Sequence, residues 1–217
     1  MSDRVSGVGV LDKSMAILVA VEEGAGTMAE VMARTGIPRP TAHRLATALE
    51  AHGLLRRDGA GVVRLGTRLV ALGHRAGRGW PWLDSARPVL ADLRALTGES
   101  VQLYVGDGDA RLCVESLESA EELRTTVPVG SRLPLDRGSA GRVLSGDGGG
   151  RRGWVESVEE RAPGVASVSA PVRIGAEAVA VSVSGPVERT SRSPGRRFGA
   201  DVVRAARRIE ALAAGPA

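Results

Sequence analysis

Thr27-Met-Ala-Glu-Val-Met-Ala-Arg-Thr-Gly36-Ile-Pro-Arg-Pro40-Thr-Ala-His-Arg-Leu-Ala-Thr-Ala-Leu49 contains the signals for two short helices and the turn between them. Thr27 with Glu30 three residues on is a capping box, and Met28, Val31 and Met32 supply a short apolar face. Gly36 ends this helix. Pro38 and Pro40 fall at the start of the next, where a missing N–H costs little. Ala42, Leu45, Ala46 and Leu49 then recur at helical spacing as an inward face, closed near Gly53. The outward face holds Arg39, Thr41, His43, Arg44 and Thr47. Two helices joined by a tight turn, the second carrying basic and hydroxyl groups at its start, form a helix-turn-helix. Its second helix fits a major groove, where Arg reaches guanine edges and Thr reaches a phosphate or a thymine methyl.

The flanking residues extend this unit. Residues 8–23 place Leu11, Met15, Leu18 and Val19 on one helical stripe, and Gly24 and Gly26 stop the helix. Residues 54–65 predict a hairpin turning at Asp58-Gly-Ala-Gly61, a wing whose Arg56, Arg57 and Arg64 lie beside a DNA backbone. A further helix runs from Thr67 to about Arg78, with Leu69, Val70 and Leu72 as its apolar residues, before Trp80-Pro-Trp82. These signals predict a DNA-binding domain over 1–66, a linker helix over 67–80 and a second domain over 81–217.

Composition supports the division. The 217 residues are 43% apolar and 25% charged, the balance of an ordinary globular chain. Residues 1–79 hold 11 basic and 7 acidic groups while residues 80–217 hold 18 of each, so the whole net charge of +4 lies in the first third, as a polyanion-binding segment requires. His43, His52 and His74 all precede Trp80, which argues against Ser-His or Cys-His catalysis and most transition-metal sites in the second segment. Cys113 alone supports no disulfide framework, and no run approaches the length of a membrane span; Asp3 and Arg4 follow the first Met with no long apolar run before Asp12. The expectation is a cytoplasmic protein with no cofactor and no metal, and not an enzyme.

The second segment begins with a helix over Ala86–Leu96, with Val89, Leu90, Leu93 and Leu96 inward. Val101–Val105 and Arg111–Glu115 alternate around Gly106-Asp-Gly-Asp109, a hairpin pattern, and Leu123–Val127 suggests another strand. Gly138–Leu144 suits a short helix. Val165–Ile174 and Ala178–Ser184 are strands joined at Gly175, and Phe198, Val202, Ala206, Ile209 and Leu212 mark a final helix. Adjacent hairpins between helices predict an α+β domain with a mainly antiparallel sheet.

Several segments together resemble the IclR family of bacterial transcription regulators: Gly36–Leu45, Arg64–Leu69, Val129–Leu135, Gly164–Val172 and Val181–Pro186. Val8–Lys13, Arg39–Leu45 and Gly164–Arg173 look more closely like the actinobacterial branch typified by NdgR, a regulator of amino-acid metabolism. The resemblance implies a winged helix-turn-helix, a linker helix and a GAF-like effector domain, with dimers or tetramers on palindromic operators. It also implies a pocket for a small metabolite lined by Ser139, Ala140, Ser157, Ser167, Ser182 and Ser184. Ser182 and Ser184, two apart on one strand, share a face and can together hold a carboxylate or amide; the same serines equally suit small-residue positions in a sheet. Many members carry a cysteine at the position of Ser167 and an aspartate at that of Ser157. Ser145–Gly153 stands where the family has a longer, helix-bearing segment, and its glycine triplet reads as a flexible linker.

Three functions compete on these observations. One is a DNA-binding regulator modulated by an amino acid or small carboxylic acid. The second is a constitutive DNA-binding regulator whose second domain only oligomerises, the Trp80–Trp82 junction and linker helix offering surfaces for it. The third, an enzyme built on Cys113, lacks a base beside a thiol set in an apolar strand.

Overall fold

The computed structural model describes residues 6–77 and 79–215; Asp3, Arg4 and Arg78 lie outside the described residues. The chain separates into two compact units, the first ending at Trp80 and the second beginning at Pro81.

In the first unit α1 spans Gly9–Glu22, α2 Met28–Thr35 and α3 Arg39–Ala51, followed by the hairpin β1, Leu55–Arg57, and β2, Val63–Leu65, and then α4, Thr67–Gly77. The capping box starts α2: Thr27 Oγ1 accepts the Glu30 N–H at 3.2 Å, and Glu30 Oε2 accepts the Thr27 N–H at 3.0 Å. Gly36 ends α2 at φ 66°, a left-handed conformation that glycine adopts without strain. Ala42, Leu45, Ala46 and Leu49 are all buried, joining Val31, Leu55 and Val63 in one core. The Val63 N–H donates to Gly26 O at 2.8 Å, which ties the wing to the loop before α2. A Cβ on Gly66 would collide with the Gly53 backbone, so the close crossing of these two segments requires glycine.

The stripe expected on α1 holds for Leu18 alone and is otherwise corrected. Leu11, Met15 and Val19 are 51%, 50% and 43% exposed, and α1 instead buries Ile17, Leu18, Ala20 and Val21. Apolar residues occupy most of this helix, so periodicity alone chose the wrong side. α4 buries none of its side chains, and its Val70 is 75% exposed.

In the second unit α5 spans Pro81–Thr97. It starts before the expected Ala86 because Pro81 is well placed in a first turn, and it carries Pro88 inside. Trp82 is buried, its Nε1 donating to Glu177 Oε2 at 3.1 Å, so the Trp80–Trp82 junction does not present it as an oligomerisation surface. The strands are β3, Ser100–Asp107; β4, Ala110–Leu117; β5, Arg132–Pro134; β6, Val155–Val158; β7, Val165–Ile174; and β8, Glu177–Pro186. They form one antiparallel sheet in the order β5-β4-β3-β8-β7-β6. The helices α6, Ser139–Leu144, α7, Val187–Thr190, and α8, Pro194–Ala213, complete the unit. α5 and α8 pack together, α8 also against β7, while α6 packs on β6, β7 and β8.

Leu123–Val127 is not a strand. The edge of β4 is occupied instead by β5 and its lead-in, where the Gly130 N–H donates to Cys113 O at 2.8 Å and the Cys113 N–H to Ser131 O at 3.0 Å. Leu96, expected inward, is exposed near the end of α5, and Leu212 is exposed near the end of α8. The glycine-rich segment is an ordered turn rather than a loose linker. Asp147 accepts the Gly149 N–H at 3.0 Å and pairs with Arg142 at 3.0 Å, and a short 3-10 turn follows over Gly150–Arg152. No described helix is long and apolar enough to cross a membrane.

Candidate nucleic-acid interface and effector cavity

Arg39 opens α3, and Arg39, His43 and Thr47 follow one another at four-residue spacing on its exposed side. Arg44 is exposed beside them, and Thr41 is half-buried. Among the described residues Arg39 and Arg44 form no ion pair, so their guanidinium groups are free for a phosphate or a guanine edge.

The wing separates its three arginines. Arg56 lies directly opposite Arg64 in the register, while Arg57 lies opposite buried Val63. Cross-strand partners share a face, so Arg56 and Arg64 stand together on the outward side. Asp58 pairs with Arg64 at 3.3 Å and partly offsets the repulsion. The Asp58 carboxyl is held below its ordinary range chiefly by the Val62 N–H, with Ala60 and Arg64 adding to it. Arg57 points the other way, its Nε 2.9 Å from Glu50 Oε1, and braces the wing against α3.

In the second unit the strand registers assemble a patch of hydroxyls beneath α6. Ser157, Ser167, Ser184 and Ser100 lie in one row across β6, β7, β8 and β3; Ser169, Ser182 and Gln102 form the next. Ser139 Oγ lies 2.7 Å from both Ser167 Oγ and Ser169 Oγ, Ser157 Oγ lies 3.2 Å from Ser167 Oγ, and Ser169 donates to Ser182 at 2.9 Å. Ser184 donates to Gln102 Oε1 at 2.9 Å, and Gln102 Nε2 is buried without a partner. A cavity of about 20 Å³ opens here, lined by Ser139, Ala140, Ser167, Ser182 and Ser184. Of the six expected residues only Ser157 is outside that lining, joined to it through Ser167.

Tyr104, Arg111 and Arg161 line the same cavity, and Ser169 and Gln102 complete its network; none was singled out from the sequence. Alternation could have marked Gln102, a polar residue at an inward position of an apolar strand. Nothing local marks Arg111 or Arg161. Burial raises the Tyr104 hydroxyl pKa and pushes the Cys113 thiol up to about 12, so this thiol is a protonated core group. Among the described residues no group of three or more His, Cys, Asp or Glu side chains is placed to hold a metal.

Residues 10–59 match the IclR helix-turn-helix domain, and residues 80–146 and 150–211 match the bacterial transcriptional regulator IclR C-terminal domain. The second match breaks at 147–149, inside the glycine-rich turn. The HTH-type transcriptional regulator KipR of Bacillus subtilis is 32% identical over 133 residues, 61% of this chain and 53% of that protein. The HTH-type transcriptional regulator BhcR of Paracoccus denitrificans is 27% identical over 94% of this chain and 86% of its own. An IclR homologue from Microbacterium hydrocarbonoxydans, solved in complex with 4-hydroxybenzoate, has the same fold with a TM-score of 0.77 at 23% identity, over 94% of this chain and 100% of that one. The IclR structure from Thermotoga maritima gives 0.74 at 19%, over 94% and 98%. The matched families and relatives are transcriptional regulators rather than enzymes.

Proposed function

The chain belongs to the IclR family of bacterial transcriptional regulators, and from that premise we propose a cytoplasmic regulator whose DNA affinity is set by a small amino acid or carboxylic acid bound in its second unit. In this reading residues 1–66 bind the operator, α4 belongs to a linker over 67–80, and residues 81–217 sense the effector and oligomerise. Arg39, Thr41, His43, Arg44 and Thr47 face the major groove, and Arg56 and Arg64 neutralise phosphates while Arg57 holds the wing in place. The observation that carries the DNA half is the exposed side of α3, with two arginines free of acidic partners.

Exposed apolar side chains on α1 and α4, among them Leu11, Met15, Val19, Val70 and Leu72, suit a second copy of the chain. Exposed apolar residues repeated along a helix favour an interface, and a dimer would match a palindromic operator. Val8–Lys13 and Gly164–Arg173 support placing the chain in the NdgR-like branch.

For the effector half, Ser139, Ala140, Ser167, Ser182 and Ser184 form the lining and Ser157 supports Ser167. A relative bound to 4-hydroxybenzoate favours a carboxylate ligand. One observation favours the constitutive alternative: a cavity of about 20 Å³ holds little more than a water molecule until it opens. Genomic footprinting supplies the operator, and gel shifts with and without amino acids and small acids then decide. A ligand that changes operator affinity establishes sensing; affinity unchanged by every compound establishes the constitutive regulator.

A further inference from the structure

One wall of the serine-lined cavity is not accounted for by the hydroxyls. Arg111, on β4, is 2% exposed, and its guanidinium carbon lies 5.5 Å from the centre of the Tyr104 ring. Its Nη1 donates to the Pro134 carbonyl and, at 2.9 Å, to the Arg137 carbonyl. Its Nε is buried with no partner. A Cβ at Gly141 would lie 2.5 Å from Nη1 and one at Gly138 3.4 Å from Nη2, so the N-cap and first turn of α6 are packed onto the guanidinium.

Arg161 lines the cavity from the loop joining β6 and β7 and is only half-buried. Among the described residues neither arginine has a carboxylate partner, and the acids around them are already engaged. Asp136 pairs with Arg137 at 3.1 Å, Glu159 with Arg192 at 3.2 Å, and Glu160 with Arg142 at 3.5 Å while also accepting the Gly138 N–H at 2.9 Å. Burial lowers the pKa of Arg111, Tyr104 opposes that shift, the charge on Arg161 adds to it and Asp136 again opposes it, and the guanidinium stays charged. Two cations, Arg111 buried and Arg161 half-buried, therefore share one wall with no carboxylate bonded to either, the nearby Asp136 charge being taken up by Arg137, and the Gln102 amide nitrogen of the same network is unpartnered. Buried donors of this kind call for an acceptor.

The geometry points to Arg111 and Arg161 as the charge-recognising residues of this cavity, taking the carboxylate of a small organic acid whose oxygens also accept from the nearby serine hydroxyls. This rests on the serine cavity being the effector site. A planar fork of donors matches the two oxygens of a carboxylate, and each serine O–H can rotate to aim at them. The cavity is too small for the acid as it stands, so the Arg161 loop moves outward on entry and returns onto the bound charge. Arg161 supplies the variable contact, and Arg111 is held in place by its two carbonyls.

The test is calorimetric titration and thermal melting of the full chain with small monocarboxylates, 4-hydroxybenzoate and acetate among them, each paired with its neutral amide, and with inorganic phosphate as a tetrahedral anion. Acids are expected to bind at least about tenfold more tightly than their amides, a difference of about 1.4 kcal/mol. Arg161→Gln is expected to lose that preference while melting at the same temperature without ligand. Arg111→Lys keeps a charge but not the fork, and is expected to bind acids weakly. Arg111 also ties down the Pro134 and Arg137 carbonyls, so Arg161→Gln is the decisive variant if substitution at Arg111 prevents folding. Amides binding as well as acids, or Arg161→Gln binding acids like the parent, would each overturn the arginine assignment, and phosphate outcompeting every acid would overturn the carboxylate as the ligand; each of these leaves a serine-lined effector site. No binding by any compound would overturn that site as well.

Discussion

Arg56 and Arg57 are neighbours in the wing, yet strand pairing sends them to opposite faces and gives them different tasks. Arg56→Ala removes an exposed cation that stands opposite Arg64 and has no acidic partner among the described residues. Each phosphate neutralised releases counterions and contributes a slope of about −0.9 in log affinity against log salt. Leaving one phosphate un-neutralised by each subunit of a two-subunit complex makes that slope shallower by about 1.8. Over a fourfold rise in salt, from about 50 to 200 mM, the penalty of the substitution then shrinks by about twelvefold. Arg57→Ala removes instead the 2.9 Å ion pair with Glu50, whose two side chains are 41% and 29% exposed. Such a pair is worth about 0.2–1 kcal/mol of stability, and its loss leaves the salt slope unchanged. Fluorescence anisotropy of a labelled duplex titrated at several salt concentrations measures both slopes, and chemical denaturation measures the stability term. Equal slope changes for the two variants, or a larger one for Arg57→Ala, would refute the assignment of faces.

Arg39→Ala and Arg44→Ala are each expected to weaken operator binding by about 1–3 kcal/mol if they reach base edges; an unchanged footprint after both would exclude α3 as the recognition helix. The Glu30 carboxyl is held below its ordinary pKa of 4.5, first by the Gly26 N–H and then by the Thr27 N–H. Its folded pKa lies below the unfolded value, so its contribution is complete above pH 4.5 and fades as pH falls through the folded value. Glu30→Gln is therefore expected to lower the melting temperature near neutrality, with the deficit closing in acid; a constant deficit at every pH counts against the capping role. Cys113, fully buried with its thiol pKa raised to about 12, is expected to resist maleimide near neutral pH until the protein is denatured. Labelling at the rate of a free thiol in the folded protein would show that β4 opens.

The parts legible in the sequence depend on neighbours a few residues apart. Thr27 and Glu30 set their own helix start, Gly36 its end, and the Ala42-Leu45-Ala46-Leu49 spacing the buried side of α3. The β7–β8 hairpin is equally local, with a two-residue turn between long alternating strands. Five of the six residues proposed for the cavity line it, through a resemblance extending over much of the chain rather than through any local rule.

What was not legible required knowing which distant segment lies alongside. The apolar residues of α1 cover more than one side, and only packing against α2 and α3 chose Ile17 and Val21 over Leu11 and Met15. β5 and β6 are too short for an alternation signal and exist because β4 and β7 offer them an edge. Helix caps, turns and periodicity act over one or two turns of chain, so residue order alone specifies a helix-turn-helix with a basic outward face and a second, neutral segment of paired strands. Strand pairing in the folded chain parts Arg56 from Arg57 and brings Arg111 and Arg161 to the cavity lined by Ser167, Ser182 and Ser184. Register between strands far apart in sequence sets those distances, and no local pattern encodes it.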